Sequence, residues 1–370
     1  MSNLTRRKFF RQAGLYTTGG LALTGVAGLV GTPALAQPAP DWLALTNESA
    51  LEPELPIIDP HHHLWDRPGN HYLLEELLQD TREHNVRQTV FVECTSMYRA
   101  EGPEELRVVG ETEFVQGVAA MSASGGYGEA RVAAGIVGSA DLRLGDRVAP
   151  VLEAQIAASP QRFRGIRQRA AWADPSVISN RAAVSPQHLL LDEDFRKGYA
   201  QLRTYGLSFE GWLYHTDIAD LTDLAKAFPD TTIILNHLGG PIGIGPYAGR
   251  RDEVFAAWKP AISELAKRPN VVAKVGGIQM VVNGYGWHER DRPPTSDQLL
   301  QANKDWYLYI IDQFGPDRCM FESNFPVDKM SCSYTVLWNQ FKKLTKGFSA
   351  DERAAMFHDT AMRVYRLPQV

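Results

Sequence analysis

The sequence predicts an α/β protein, a single (β/α)8 TIM barrel, and three observations support this fold class. The chain has 370 residues, more than the roughly 250 that such a barrel needs. Eight short runs rich in β-branched residues recur along it, at positions 57–63, 88–94, 132–138, 162–168, 207–213, 231–237, 271–277 and 318–324. Segments with helical spacing of apolar residues separate the runs, and no glycine-rich phosphate loop follows the first, so a closed barrel is favoured over an open sheet.

The first 36 residues have the pattern of an export signal and lie outside the predicted fold. Residues 5–10 read TRRKFF, a twin-arginine pattern, residues 15–30 are mildly apolar, and residues 34–36 read ALA, as at a cleavage site. Glycine and threonine in the apolar run argue against a stable membrane span and favour cleavage, with an uncleaved anchor as the alternative. We therefore predict a periplasmic or secreted protein that is exported in folded form by the twin-arginine route.

The rest of the chain divides into a short arm and one large domain. Residues 37–56 are rich in proline and are predicted to be a linker or an N-terminal arm, whereas residues 57–370 form the barrel. The formal net charge of −5 and the lack of a lysine or arginine block exclude nucleic acid as a partner. Three cysteines cannot all pair within one chain, and we expect them to be buried thiols.

Histidines recur at the predicted carboxyl ends of the strands, where barrels of this kind carry their functional residues. His61 and His63 end the first strand on one face because side chains alternate along a strand. His215 and His237 follow the fifth and sixth strands and are the candidates for a third ligand. Imidazoles in this arrangement are typical ligands of zinc or a similar divalent metal. A histidine taken alone is more often a structural hydrogen-bonding residue, but four histidines at one rim favour a functional site.

Five motifs along the chain point to one family. Residues 58–65 read IDPHHHLW, residues 164–167 read RGIR, residues 236–241 read NHLGGP, Lys274 lies in VVAKVGG, and residues 320–327 read MFESNFPV. Together they resemble the first, fourth, sixth, seventh and eighth strand motifs of the amidohydrolase-related barrels, a group that contains sugar-acid and dicarboxylate lactonases. The resemblance implies hydrolysis of a lactone or similar carboxylic ester, and members with and without a metal both exist.

One position departs from that family pattern. The family has Gly-Ser-Asp-Trp-Pro at the eighth strand, and this chain reads ESNFP at 322–326, so the expected aspartate is Asn324. An amide can orient water but cannot act as a general base. Glu322, two residues earlier, is a candidate replacement base or ligand, and a structural ion pair with Lys274 or an arginine is its alternative role. Asp328 could also reach the site, or it could cap the following helix.

Two cationic residues near the ends of the fourth and seventh strands indicate the charge of the substrate. Arg167 and Lys274 would place positive charge beside the site, which predicts a small anionic substrate. A buried ion pair with Glu322 is the competing interpretation.

The leading hypothesis is hydrolysis of a carboxylate-bearing lactone or related ester. A metal on His61, His63 and His215, zinc or manganese, would activate water, and His237 would orient or stabilise the intermediate. Metal-free hydrolysis, a decarboxylase of aromatic or unsaturated acids on the same barrel, and a noncatalytic periplasmic binding protein remain alternatives. The sequence leaves a homo-oligomer open as well.

Overall fold

Eight parallel strands form the centre of the structure, a computed structural model that describes residues 40–178 and 184–370. The strands, numbered in chain order, are β1 (Ile57–His62), β2 (Val86–Val92), β3 (Arg131–Gly138), β4 (Phe163–Arg167), β5 (Ser208–Gly211), β6 (Ile233–Leu235), β7 (Val271–Gly276) and β8 (Cys319–Glu322). Each pairs in parallel with the next in the chain. The predicted barrel is confirmed, since all eight strands overlap the eight predicted runs.

The barrel closes just beyond the ends of its first and last strands. His62 and Phe325 form an isolated parallel bridge. The His63 amide donates to the Phe325 carbonyl at 2.8 Å, and the Asn324 amide donates to the His61 carbonyl at 2.9 Å. This closure brings the histidines of β1 next to the carboxylate and amide side chains that end β8.

Helices surround the strands, and the longer ones bury an apolar face against them. They are α1 (Pro40–Ala44), α2 (Leu74–Thr81), α3 (Val109–Ala123), α4 (Ala149–Ala158), α5 (Glu193–Thr204), α6 (Ile218–Ala227), α7 (Arg251–Ala266), α8 (Ser296–Phe314), α9 (Tyr334–Leu344), α10 (Ala350–Ala354) and α11 (Thr360–Val364). Within the described ranges, no helix has the length and apolarity needed to cross a membrane.

A short hairpin that the sequence analysis missed follows β1. It pairs Trp65–Arg67 with Asn70–Tyr72 in antiparallel fashion. The runs are only three residues long and contain charged side chains, so they lack the β-branched signal used for the barrel strands.

The N-terminal arm is bound to the domain along the part that the structure describes. Thr46 donates to the Pro293 carbonyl at 2.8 Å, and Glu48 accepts from the Ser296 amide at 2.8 Å, at the start of α8. The predicted export signal at residues 1–36 lies outside the described residues.

The C-terminal segment closes the opposite end of the barrel. Tyr365 and Leu367 are buried among inward-facing strand residues such as Ile58, Val90 and Met320. The hydroxyl of Tyr365 donates to a carboxylate oxygen of Glu210, inside the barrel. The interior is therefore apolar at its lower end and becomes polar toward the carboxyl ends of the strands.

Candidate active site

Two histidines and a glutamate meet at the carboxyl ends of the strands. Nitrogen atoms of His61 and His237 and an oxygen of Glu322 all lie within 4.8 Å of one another. His61 Nδ1 is 2.8 Å from Glu322 Oε2, and His237 Nδ1 is 2.8 Å from Glu322 Oε1. The three side chains are almost completely buried, with exposed fractions of 0%, 2% and 0%.

Unusual backbone conformations bring these side chains together. His237 and the following Leu238 have φ angles of 52° and 55°, so the chain turns sharply after β6. Non-glycine residues rarely adopt this left-handed conformation, and it is enriched at functional sites. Gly277 comes so close to His237 that a Cβ atom on it would lie 1.9 Å from the imidazole Nδ1. A side chain at position 277 is therefore incompatible with the observed His237 ring.

Two buried ion pairs flank the cluster. Lys274 Nζ lies 2.9 Å from Glu210 Oε2 and 3.3 Å from His61 Nδ1. Arg167 Nε donates to Glu93 Oε1 at 2.6 Å, and Arg167 also lies 3.3 Å from His61 Nε2. Both cations thus have their own carboxylate and also contact His61. The predicted alternative, an ion pair of either cation with Glu322, is not what the structure shows.

Burial favours the neutral forms of His61 and His63. Desolvation, followed by the positive charge of Lys274, holds the pKa of His61 well below its ordinary value. Desolvation and then Arg167 act in the same direction on the pKa of His63. Neutral imidazoles are the form that binds a metal ion.

The cluster of His61, His237 and Glu322 differs from the predicted ligand set of His61, His63 and His215. The ring centre of His63 lies beside it, 5.0 Å from that of His61. His63 lies beyond the last residue of β1, and its Nδ1 is 2.8 Å from the Val92 carbonyl. His215 begins a short 3-10 turn, and its Nδ1 accepts from the Ile242 amide at 3.3 Å. Strand alternation no longer applies beyond the strand end, because the backbone turns there.

Asn324 and Asp328 form a separate buried pair. Asn324 has a φ angle of 55°, and its Nδ2 donates to Asp328 Oδ1 at 2.9 Å. Asp328 Oδ2 accepts from the Gln279 amide at 3.1 Å. Burial raises the pKa of Asp328 well above its ordinary value. The N-cap of α9 is Ser333, so Asp328 does not cap that helix.

Some residues of the site were missed or given no role from the sequence. Glu210 in β5 and Glu93 after β2 neutralise the two cations. A glutamate within an otherwise apolar predicted strand was the available signal for Glu210, because a buried carboxylate requires a partner. Trp212 is half-buried beside the cluster, and its ring centre lies 4.8 Å from that of His237. It provides an aromatic wall next to the histidine.

Comparison with known proteins identifies the family. The family model described as "Amidohydrolase" matches residues 58–367. An uncharacterised protein of Sinorhizobium fredii is 33% identical over 336 residues, covering 85% of this chain and 99% of that protein. An L-fucono-1,5-lactonase of Burkholderia multivorans is 30% identical over 246 residues, covering 65% of this chain and 74% of the lactonase.

A solved structure shows the same fold. The crystal structure of an amidohydrolase from Burkholderia multivorans with bound zinc has a TM-score of 0.64 and 25% sequence identity, covering 84% of this chain and 99% of that one. The family model covers most of the barrel, and the barrel carries a histidine and glutamate cluster at the expected end. The chain therefore belongs to the amidohydrolase family.

Proposed function

We propose that this protein hydrolyses a lactone, with a divalent metal held by His61, His237 and Glu322. The observation that carries the proposal is the convergence of two imidazoles and one carboxylate within 4.8 Å at the functional end of the barrel. The 30% identical lactonase supports the reaction class, and the zinc-bound amidohydrolase supports the metal. The decarboxylase and binding-protein alternatives have no comparable support from a named relative at this identity.

The residues present fit a divalent cation. Glu322 Oε2 is buried and has no hydrogen-bond partner among the described residues, because its 2.8 Å contact with His61 Nδ1 lacks hydrogen-bond geometry. The ion pairs Arg167–Glu93 and Lys274–Glu210 are each balanced, so Glu322 has no cation of its own. It contacts the two imidazoles and the His237 amide, which donates to Oε1 at 3.2 Å. A buried carboxylate without a cation is costly, and two histidines with one carboxylate form a known ligand set for catalytic zinc.

The ion would supply Lewis-acid polarisation of the carbonyl and activation of water. In the reaction, water adds to the carbonyl carbon, the ring C–O bond breaks, and a proton passes to the released oxygen, which gives a hydroxy acid. Arg167 and Lys274 lie 3.3 Å from the Nε2 and the Nδ1 of His61, so they confine the position of its ring. The Trp212 ring packs edge to face beside His237.

Glu322, rather than Asp328, best replaces the missing aspartate. The Nδ2 of Asn324 donates one hydrogen to Asp328 Oδ1, and the neutral amide cannot accept the proton of an attacking water. The raised pKa of Asp328 favours its protonated form, which cannot accept a proton.

The substrate need not be an anion. The prediction of an anionic substrate assumed free positive charges, and both Arg167 and Lys274 are paired with carboxylates. We therefore propose a lactone without requiring a carboxylate on it.

The test combines elemental analysis with a panel of sugar-acid lactones. We expect near-stoichiometric metal in the parent, loss of metal and an at least hundredfold lower kcat in Glu322→Gln, and retained metal in Asp328→Asn. His71→Ala, which removes an exposed hairpin histidine, is the matched control. Turnover by a metal-free parent would reject the metal but keep the hydrolysis, and release of carbon dioxide instead of ring opening would reject the hydrolysis.

Export by the twin-arginine route is proposed from the sequence alone. Fractionation of cells that express the parent and an Arg6→Lys/Arg7→Lys variant tests it. We expect periplasmic protein only from the parent.

A further inference from the structure

A cavity lies at the end of the barrel opposite to the histidine cluster. It has a volume of about 370 Å³, and Arg131, Arg162, Arg164 and Arg366 line it. Arg131 begins β3, Arg162 and Arg164 lie at the start of β4, and Arg366 follows α11. These positions are at the amino ends of the strands, so the cavity is distinct from the candidate active site.

No aspartate or glutamate of the described residues pairs with the four guanidinium groups, and the C-terminal Val370 also lines the cavity. Across residues 40–178 and 184–370, no carboxylate lies within 4.0 Å of any of them, and the remaining residues of the chain include no aspartate or glutamate. Their protein partners are neutral. Arg164 Nε donates to the Tyr365 carbonyl at 2.6 Å, Arg131 donates to the Glu129 carbonyl at 2.8 Å, and Arg162 donates to Gln116 at 3.2 Å.

The cations repel one another in this cavity. Burial, followed by the charges of Arg366 and Arg162, lowers the pKa of Arg164. The whole protein has a formal net charge of −5, so this positive cluster is a local feature rather than a consequence of overall composition. Clustered arginines without carboxylates are typical of sites that bind phosphate or carboxylate groups.

A buried amide gives a second, independent indication of a ligand. Gln88 lines the cavity and is 0% exposed. Its Nε2 donates to the Pro368 carbonyl at 2.9 Å, which fixes the orientation of the amide. Its Oε1 is buried and has no partner among the described residues. An unpaired buried acceptor calls for a donor from a ligand or a water molecule.

We propose that this cavity binds a small polyanion that carries a hydroxyl group. The anionic oxygens would pair with the four arginines, and the hydroxyl would donate to Gln88 Oε1. Small apolar residues such as Ala119 and Val132 form the rest of the wall and leave room for a short carbon skeleton. The volume is in the range of small-molecule sites rather than of a surface for a protein partner. The inference does not depend on the proposed lactone hydrolysis.

Citrate is a suitable probe because it has three carboxylates and one hydroxyl, and tricarballylate is the same skeleton without the hydroxyl. Calorimetric titration of the full chain should show saturable binding of citrate that weakens with added salt. We expect tricarballylate to bind several-fold more weakly because it leaves Gln88 unpaired. Equal affinity for the two would overturn the assignment of the hydroxyl to Gln88.

Substitutions in the cavity test whether citrate binds there. We expect at least tenfold weaker citrate binding in Arg366→Glu and in Arg162→Gln, whereas the charge-matched Lys304→Glu on the exposed face of α8 should bind as the parent does. Arg366 is exposed, so its variant should fold, and circular dichroism checks this. Unchanged binding in both cavity variants, or no saturable binding to the parent, would overturn the proposal.

A chelating probe could also bind at the histidine cluster. The titration is therefore repeated in His61→Ala, which removes one proposed metal ligand. Persistent binding in His61→Ala supports the cavity, and its loss there overturns the proposal. Inorganic phosphate as a second probe distinguishes a phosphorylated ligand from a polycarboxylate, since either class satisfies the same arginines.

Discussion

At the scale of single residues, Arg167 connects two strands to the histidine cluster. Its Nε donates to Glu93 at 2.6 Å, and one of its terminal nitrogens lies 3.3 Å from His61 Nε2. A lysine at this position would keep the positive charge, but it lacks the planar guanidinium group that contacts Glu93 and His61 at the same time. We expect Arg167→Lys to lower kcat/KM by about ten- to hundredfold, the worth of a charged hydrogen bond. Arg169→Lys, at an exposed arginine nearby, is the control, and an unchanged kcat/KM in Arg167→Lys would contradict this role.

Glu111 of α3 should make the stability of the protein depend on pH. Its Oε1 accepts from the amides of Cys94 at 3.0 Å and Ser96 at 2.7 Å, which fixes the loop after β2. Burial, followed by the charge of Glu93, raises the pKa of Glu111 from 4.5 to about 8. The folded protein therefore retains a proton that the unfolded chain has already lost.

It follows that the free energy of unfolding should fall as pH rises from 4.5 toward about 8. In Glu111→Gln this contribution should vanish, and the stability profile should be flatter over that range. Urea unfolding at several pH values measures it. Glu113→Gln on the same helix is the control, because Arg99 lowers the pKa of Glu113. Parallel profiles for Glu111→Gln and the parent would contradict the expectation.

At the scale of secondary structure, the end of β7 determines where the His237 ring can lie. Gly277 has a φ of 65°, and a Cβ there would be 1.9 Å from His237 Nδ1. We expect Gly277→Ala to displace the ring, to release the metal and to cost about 1–3 kcal/mol of stability. Metal analysis and urea unfolding test this.

Gly117 in α3 provides a control, because the same substitution there should raise the stability rather than lower it. A Cβ on Gly117 would meet nothing within 4 Å. Gly117→Ala should therefore stabilise the protein by about 0.5–1 kcal/mol. If Gly277→Ala instead retained its metal and its stability, the close contact between Gly277 and His237 would not determine the position of the His237 ring.

The N-terminal arm acts as an external cap of α8. Glu48 accepts from the Ser296 amide at 2.8 Å and from the Ser296 hydroxyl at 2.6 Å, so its charge lies at the start of the helix. We expect Glu48→Ala to lower the free energy of unfolding by about 1 kcal/mol. Thermal unfolding of this variant and of Glu54→Ala, at an exposed arm residue, would measure it. Equal Tm values for the two variants would show that the arm contributes no cap.

At the scale of the whole molecule, the proposed metal should contribute to global stability. Glu322 is completely buried beside His61 and His237, and a ligand that binds only the folded state stabilises that state by mass action. We expect chelation to lower the Tm of the parent and re-addition of zinc to restore it. The Tm of Glu322→Gln should not respond to either treatment. An identical response of parent and variant would place the metal elsewhere.

Most strands of the barrel could be predicted from the sequence. Runs such as 132–138 and 271–277 were predictable because parallel strands buried on both faces are continuous apolar segments. The hairpin at 65–72 was not predictable, since its pairing depends on packing beside the barrel mouth rather than on its own composition.

The site was predictable in part, because the carboxyl ends of the strands in such a barrel share one rim. By itself, the sequence determined the fold class and which rim carries His61, His237 and Glu322. Only the tertiary structure decided that these three converge while His63 and His215 bond elsewhere, and that Glu210 and Glu93 neutralise the cations. The physical reason is that the local pattern of apolar residues specifies a strand. Contacts across a closed barrel depend instead on the backbone conformation of the residues that follow each strand.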